Sequence, residues 1–446
     1  MHTRASRVRY DLAIAGVGCL LLAGPSALAA QETPPAPAAD VTVKVLPEWL
    51  QLRGEFRGRL EGARHAGFST TREDLYWLNR FRVGATVTPI PLLALHAELQ
   101  DARVARKDLG PTGAPFAATL DVRQAHTSLG TDASTLAARI GRQELAFGEQ
   151  RLVGHVSWLN AARTFDAARV TVRRPGVVID AFASSVVRIL TDELDRSGQG
   201  NQFHGVYAAT SRLVPRASVE PYLFWRRDRT TAAEVGPAGP LTLVTTGVRT
   251  AGRLGGGLTY AAEIAVQRGT AGGEDIRAWA GHARLETAAR SGLAWLAEYN
   301  YASGDADPTD GRRGTFDPLY PTPHDKYGLA DQIGWRNMHH ARVGLSVTRW
   351  PALPVRTSYH HWWLAEGRDG AYTPGGAVLA RVPTGASSRH IGQEIDVQVA
   401  RAIGPRLQVA AGYALVLPGA FLRQTSPGAR AHFPFAMLTF VFLDAR

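Results

Sequence analysis

The stretch WLQLRGEFRGRL, residues 49–60, alternates without a break. Leu50, Leu52, Gly54, Phe56, Gly58 and Leu60 fall on one side of an extended chain. Gln51, Arg53, Glu55, Arg57 and Arg59 fall on the other, because successive strand side chains point to opposite faces. One face is hydrocarbon and the other nearly all charge. A soluble sandwich also alternates, but its polar face meets bulk water and mixes in Lys, Ser and Thr. A strand with lipid on one side and a water-filled lumen on the other accounts for both faces.

The same period recurs to the end of the chain. DLYWLNRFRVGATV sets Leu75, Trp77, Phe81, Val83, Ala85 and Val87 against Arg80 and Arg82. LLALHAELQ sets Leu93, Leu95 and Leu99 against His96, Glu98 and Gln100. LTYAAEIAVQRG, LAWLAEYNYASG and IGQEIDVQVA place Glu263, Glu298, Glu394 and Asp396 opposite apolar residues, and RVGLSVTRW and PVRTSYHHWW do so for Arg342 and Arg356. About eighteen such segments of roughly ten residues follow one another. Short turns such as TPIP (88–91), RRPG (173–176) and RAIGPR (401–406) join many of them; longer polar loops separate the rest. Helical periodicity is nowhere sustained. The pattern predicts an all-β transmembrane antiparallel barrel of about 18 strands in a Gram-negative outer membrane. Trp49, Tyr76, Trp77, Trp158, Trp225, Trp335, Trp362 and Trp363 read as interfacial girdle residues.

The N-terminus carries Arg4, Arg7 and Arg9, then LAIAGVGCLLLAG, then Ala27-Leu28-Ala29. Charge, a short apolar run and a small-residue cleavage site read as a secretory signal peptide over 1–30. A Pro/Ala-rich leader (31–44) follows, and the barrel domain takes 45–446. The lone cysteine, Cys19, lies in the signal. The mature chain therefore offers no disulfide framework, thiol chemistry or Cys-ligated metal. No later stretch holds 18 uninterrupted apolar residues, the minimum for a spanning helix.

The formal net charge is +11, yet lysine occurs only at 44, 107 and 326. GC-rich coding accounts for much of that shortage but not for where the arginines sit. They interleave with lipid-facing residues, which speaks against nucleic acid as a partner.

Two blocks carry a more specific signal: IGRQELAFGEQRLVGHVSWLNAARTFDAARV (140–170) and YASGDADPTDGRRGTFDPLYPTPHDKYGLADQIGWRNMHHARVGL (301–345). Both resemble the alginate-export family of outer-membrane porins, and segments 97–104, 360–372 and 391–400 fit the same family. The resemblance spans about residues 45–443. It implies an 18-stranded barrel whose strongly electropositive lumen passes a polyuronate.

Parity on the strands nominates the lining. Arg53, Arg57 and Arg59 share one face, with Arg80 and Arg82 on the next strand. Arg169 and Arg173 stand opposite Val170 and Val172, and Arg142, Arg151 and Arg163 sit in the first block. With Arg342 and Arg356 these make a ladder of permanent cations that bind carboxylates bidentately. Glu55, Glu98, Glu144, Asp166, Glu263, Glu298, Glu394 and Asp396 supply counter-charge that keeps each site weak, as conduction requires. Asp305, Asp307 and Asp310 in SGDADPTDG hint at calcium, but no bidentate Glu follows, and an acidic turn pairing with Arg312 and Arg313 is the plainer reading. His339–His340 and His360–His361 are adjacent on strands, so the rings of each pair point apart and cannot chelate together.

These features predict a channel passing anionic polysaccharide or oligosaccharide, with no cofactor and no metal, and with periplasmic export proteins as possible partners. A small-anion or general porin is the alternative. A barrel-embedded hydrolase, which needs a Ser or Asp close to a His on adjacent strands, is the third reading.

Overall fold

The computed structural model describes residues 46–234 and 237–445, so the signal peptide and most of the leader lie outside the described residues. The strands in chain order are β1 (Leu50–Arg64), β2 (Glu73–Ile90), β3 (Leu93–Ala105), β4 (Ala118–Leu129), β5 (Leu136–Gln143), β6 (Phe165–Arg174) and β7 (Val177–Arg188). Then come β8 (Arg196–Thr210), β9 (Ala217–Thr231), β10 (Gly239–Arg253), β11 (Leu258–Ala271), β12 (Glu274–Thr287), β13 (Leu293–Ala302) and the short β14 (Arg312–Arg313). The chain ends with β15 (Met338–Val347), β16 (Val355–Leu364), the short β17 (Ala371–Tyr372) and β18 (Val378–Ala380), β19 (His390–Ile403), β20 (Leu407–Pro418) and β21 (Ala431–Ala445).

Leaving out the three short pieces, the strands form a closed 18-strand antiparallel barrel. β1 pairs with β2 on one side and with β21 on the other, which closes the ring and removes both sheet edges. The eighteen-strand expectation is therefore met. At one end the strands are joined by tight turns: 91–92, 130–135, 175–176, 211–216, 254–257, 288–292, 348–354 and 404–406. Most connections at the other end are longer, including 144–164, 303–337 and 365–389. Outer-membrane barrels keep short turns in the periplasm and long loops outside, so Leu50 and Ala445 mark the periplasmic end.

Register confirms the alternation read from residues 49–60. Arg57 lies opposite Arg80, Glu55 opposite Arg82, and Phe56 opposite Phe81. Phe81 is 46% exposed on the outer face, where Leu99, Ile140, Leu223, Ile264, Val343 and Ile395 are also exposed. Burying each of these in lipid contributes about 1.5–3 kcal/mol.

The lumen is not simply polar. On β6 to β9 its wall is aromatic: Phe165, Phe182, Phe203, Tyr207, Tyr222 and Phe224 are all buried. Two long loops fold inward onto it. Phe147 of loop 144–164 stacks on Phe182 and Tyr207 at 5.4 and 4.9 Å. Tyr320 of loop 303–337 meets Phe203 edge-on at 4.9 Å. The loops also bond to each other: Gly154 N donates to Tyr320 O, Tyr320 N to Leu152 O, and Thr322 N to Gln150 O, at 2.8–2.9 Å. A Cβ on Gly154 would run into Thr322 and Gln150, so the crossing needs glycine there.

This infolding corrects the girdle reading. Trp158 and Trp335 belong to the two loops and are buried inside the barrel, as are Trp362 and Tyr76 on inward strand positions. Of the nominated residues Trp49 and Trp225 are exposed, and Trp279, Trp295 and Trp350 are exposed with them.

Candidate functional site

The arginines of β1 and β2 hold loop 144–164. Arg57 is 1% exposed and donates to the carbonyls of Ser157, Trp158 and Leu159 at 2.8, 3.2 and 3.1 Å. Arg80, fully buried, donates to Ser157 O at 2.8 Å and to Glu55 at 2.9 Å. Arg59 bonds Trp158 O, meets Glu61 at 2.6 Å, and lays its guanidinium 3.8 Å over the Trp158 ring. The other face of Trp158 stacks on His324 of loop 303–337 at 3.8 Å and 7°. A tryptophan sandwiched between a wall cation and a loop imidazole links both loops to the barrel. Arg82 donates to Gln100 at 2.8 Å. Arg53, half-exposed near the periplasmic mouth, lies 3.9 Å from Glu55.

On the wall of β12 to β16 the arginines border open space. A cavity of about 270 Å³ lies on the periplasmic side of the two loops, lined by Glu149, Arg151, Arg284, Glu298, Asp325, Lys326, Arg342 and Arg356 among others. Glu149 of loop 144–164 pairs with Arg284 and Arg249, each at 3.1 Å. Arg151 of the same loop pairs with Glu298 at 2.8 Å and reaches Asn300 and Tyr327. Asp325 of loop 303–337 sits between Arg342 at 3.3 Å and Arg356 at 3.4 Å. Farther up the wall, Glu394 accepts from Ala330 N at 2.8 Å and Asp396 from Leu329 N at 3.2 Å. These two counter-charge residues thus grip loop backbone.

Loop groups around the cavity are tuned by this packing. Burial, with Arg151 nearby, pushes the Lys326 amine down to about 8. Burial opposes the Asp325 carboxylate, but Arg342 and Arg356 more than offset it and hold it below its usual range. Burial pushes Arg163 down to about 10; its guanidinium bonds the carbonyls of Gly154 and Pro321, at 3.1 Å each, where the two loops cross.

The remaining nominated residues divide by position. Arg169 pairs with Asp180 at 2.8 Å, and Arg173 with Asp132 at 3.3 Å near the periplasmic rim. Glu98 pairs with Arg123, which also meets Glu144. Glu263 accepts from Tyr222 at 2.9 Å. Arg142 and Asp166 pair at 2.9 Å, but they share the face of Ile140 and Val170, which are exposed on the outside of the barrel. Strand parity therefore places this pair on the outer face beside the loop rim, a correction to their reading as lumen lining.

Parity settles the histidine pairs as expected. His340 and His360 are fully buried in the lumen wall. They belong to a row running across five strands. His282 bonds Asn300 at 2.8 Å, Asn300 bonds His340 at 2.9 Å, His340 bonds His360 at 3.0 Å, and His360 lies 3.1 Å from Asp396. The acidic loop is tied down locally: Asp305 accepts from Gly314 N, Asp307 from Thr309 N and Asp310 from Arg312 N. Arg313 pairs with Glu274 at 2.7 Å, so the expected pairing of its side chain with the acidic turn is not made. Among the described residues no group of three or more His, Cys, Asp or Glu is arranged to hold a metal ion.

Sequence reasoning missed Arg123, Arg226, Arg249 and Arg284. Arg284 had a signal, since it alternates with Leu285 and shares parity with His282 and Glu286. Glu149, Asp325 and Lys326 had none, because they lie in loops whose inward course no periodicity encodes.

With the geometry in place, similarity to known proteins can be weighed. No curated protein matches the chain. Solved outer-membrane channels of Pseudomonas aeruginosa share its fold. OpdK superposes with a TM-score of 0.61 at 14% identity, covering 88% of this chain and 98% of its own. OccK11 (OpdR) gives 0.59 at 14%, covering 89% and 96%, and OccK9 (OpdG) gives 0.60 at 14%, covering 90% and 100%. At such identities the likeness establishes the fold alone. The Alginate export family model matches residues 48–436. A closed 18-strand barrel with inward loops, matched over nearly its whole length by that model, is an outer-membrane channel, and the chain belongs to the alginate export family.

Proposed function

We propose that this channel passes an anionic saccharide, a polyuronate of the alginate kind, along the arginine-bearing wall of β12 to β16. The observation that carries this reading is the periplasmic-side cavity, where Arg284, Arg342, Arg356 and Lys326 border open space while facing loop carboxylates. A cargo carboxylate can displace Glu149 from Arg284 or Asp325 from Arg356 without stripping either acid of its last cation, since Glu149 keeps Arg249 and Asp325 keeps Arg342. Cations and acids in near balance give spaced, shallow sites rather than one deep well, the condition for passage. Threading a polymer requires loops 144–164 and 303–337 to shift.

A second reading, a porin for small carboxylates, is favoured by those same loops, which occupy the mid-lumen. Planar-bilayer recording separates the two. Under a salt gradient the channel is expected to be anion-selective, and that selectivity should collapse when polyuronate is added to one side. Anion selectivity that a short oligouronate blocks but the polymer leaves untouched would favour the small-anion porin. No anion preference would reject both.

A further inference from the structure

The periplasmic mouth carries arginine of a different kind from the lumen. Arg216, Arg253 and Arg290 stand on or beside three neighbouring turns, 211–216, 254–257 and 288–292, and all three are exposed. Among the described residues none has a carboxylate partner at ion-pair distance. In the lumen, by contrast, Arg80, Arg151, Arg249, Arg284, Arg342 and Arg356 all do. The outer loop end mixes charges, with Arg64 on Glu73, Arg103 on Asp101 and Arg389 on Glu366. The mouth holds few acids: Glu48, Asp132 (already on Arg173), Glu286 and Asp444.

The three turns enclose a concavity of about 650 Å³ lined by Arg216, Arg253, Leu254, Gly256, Leu258 and Glu286 among others. That is the size range of small-ligand sites. Arg290 reaches its edge, with Nη2 3.4 Å from Gly256 O. Gly256 and Gly257 take positive φ of 73° and 83°, and nothing lies within 4 Å of where Cβ atoms on Gly255 or Gly256 would stand. Such a turn lets another backbone approach closely. Glu286 lines this concavity and also the inner cavity that holds Arg284 and Arg356. One residue of β12 thus borders both spaces.

We propose that the concavity between these turns is a docking site for a carboxylated saccharide segment on the periplasmic side, from which the chain passes to the inner cavity. The proposal rests on reading the channel as a conduit for anionic saccharide. Unpaired guanidiniums over open glycine backbone supply what a uronate offers to bind: bidentate sites for the carboxylate and backbone groups for the hydroxyls. Arg212, Arg349 and Arg406, on turns of the same rim, add a field that gathers polyanion toward the site.

The test uses the full channel in phosphatidylcholine nanodiscs, titrated with a tetrameric oligouronate, and then in planar bilayers with polyuronate added to one face at a time. A maleimide on Thr71→Cys, in outer loop 65–72, fixes orientation. Arg216→Ala/Arg253→Ala/Arg290→Ala should weaken oligouronate binding at least tenfold and flatten its salt dependence. It should also slow polymer block from the periplasmic face while leaving block from the outer face unchanged. Arg64→Ala/Arg103→Ala should match the wild type, and a heat-shift gel confirms that each barrel is folded. Equal binding by the triple variant and the wild type, or a loss felt equally from both faces, would overturn the proposal. So would loss of oligouronate binding when phosphatidylglycerol replaces half the lipid, since the arginines would then serve the leaflet. Oligouronate that docks at the mouth while the polymer neither blocks nor crosses from either face would uphold the docking site and reject the conduit.

Discussion

Two walls of one lumen carry inward arginine and use it differently. On β1 and β2, Arg57, Arg59 and Arg80 are sealed against the carbonyls of residues 157–159. On β12 to β16, Arg284, Arg342 and Arg356 face carboxylates of the two loops and border a cavity. Residue type and parity are the same on both walls. What differs is which acceptor the infolded loop offers, and whether water can reach the cation. The comparison teaches that a charged lumenal face marks where cations point. The loops decide which of them fix structure and which are left to meet cargo.

The sharpest way to break the comparison is to remove one buried pair member on the sealed wall. Arg80→Ala strips Glu55 of its nearest cation and Ser157 O of a donor. It should cost about 3–5 kcal/mol of unfolding free energy, the usual penalty for an unpaired buried charge, read from urea titration of the heat-modifiable band. Arg356→Ala should cost less, about 1–2 kcal/mol, because its partner Asp325 keeps Arg342 at 3.3 Å. Equal costs would erase the distinction. Next in size is Arg57→Ala, which takes from Leu159 O its side-chain donor and from Ser157 O and Trp158 O one of two; it should destabilise by about 2–3 kcal/mol and raise single-channel conductance and its noise as loop 144–164 loosens. A conductance identical to wild type would show that the loop is held by its aromatic contacts instead.

A smaller effect sharpens the other wall. Arg284→Ala/Arg356→Ala should lower the anion-to-cation permeability ratio, measured as a reversal potential. The smallest concerns Lys326. Its amine is lowered to about 8, so raising pH through 8 removes a positive charge from the cavity. Anion selectivity should therefore fall between about pH 7 and 9, and Lys326→Met should abolish that step. Because the folded value lies below the ordinary lysine range, protonation opposes folding. The wild type should thus be less stable below pH 8 than well above it, with the methionine variant free of that dependence.

The barrel was legible because its physics is periodic. Leu50, Leu52, Phe56 and Leu60 alternate with Arg53, Arg57 and Arg59, and the same rule pointed His339 and His340 to opposite faces. An even strand count is what lets β1 and β21 close the ring antiparallel. The site was legible only where it rests on strands. Arg342, Arg356, Glu298, Glu394 and Asp396 were found by parity, but their partners Asp325, Arg151, Leu329 and Ala330 come from loops. Trp158 shows the limit: as a loop tryptophan close to strand ends it reads as an interfacial residue, and only the inward course of 144–164 puts it between Arg59 and His324. Arg142 shows another. Its strand was recognised, but its face was not taken from Ile140 two residues before it.

The account's central claim is that cargo carboxylates meet the β12 to β16 wall and not the β1 to β2 wall. The most direct test is the concentration of polyuronate that half-blocks the ion current in wild type, in Arg284→Ala/Arg356→Ala and in Arg57→Ala. The account predicts block weakened about tenfold or more in the first variant, since one lost charge-assisted bond of about 1.4 kcal/mol is a factor of ten. Block should stay within about twofold of wild type in Arg57→Ala, less than half a kcal/mol. Block unchanged in Arg284→Ala/Arg356→Ala, or weakened more in Arg57→Ala, would contradict it.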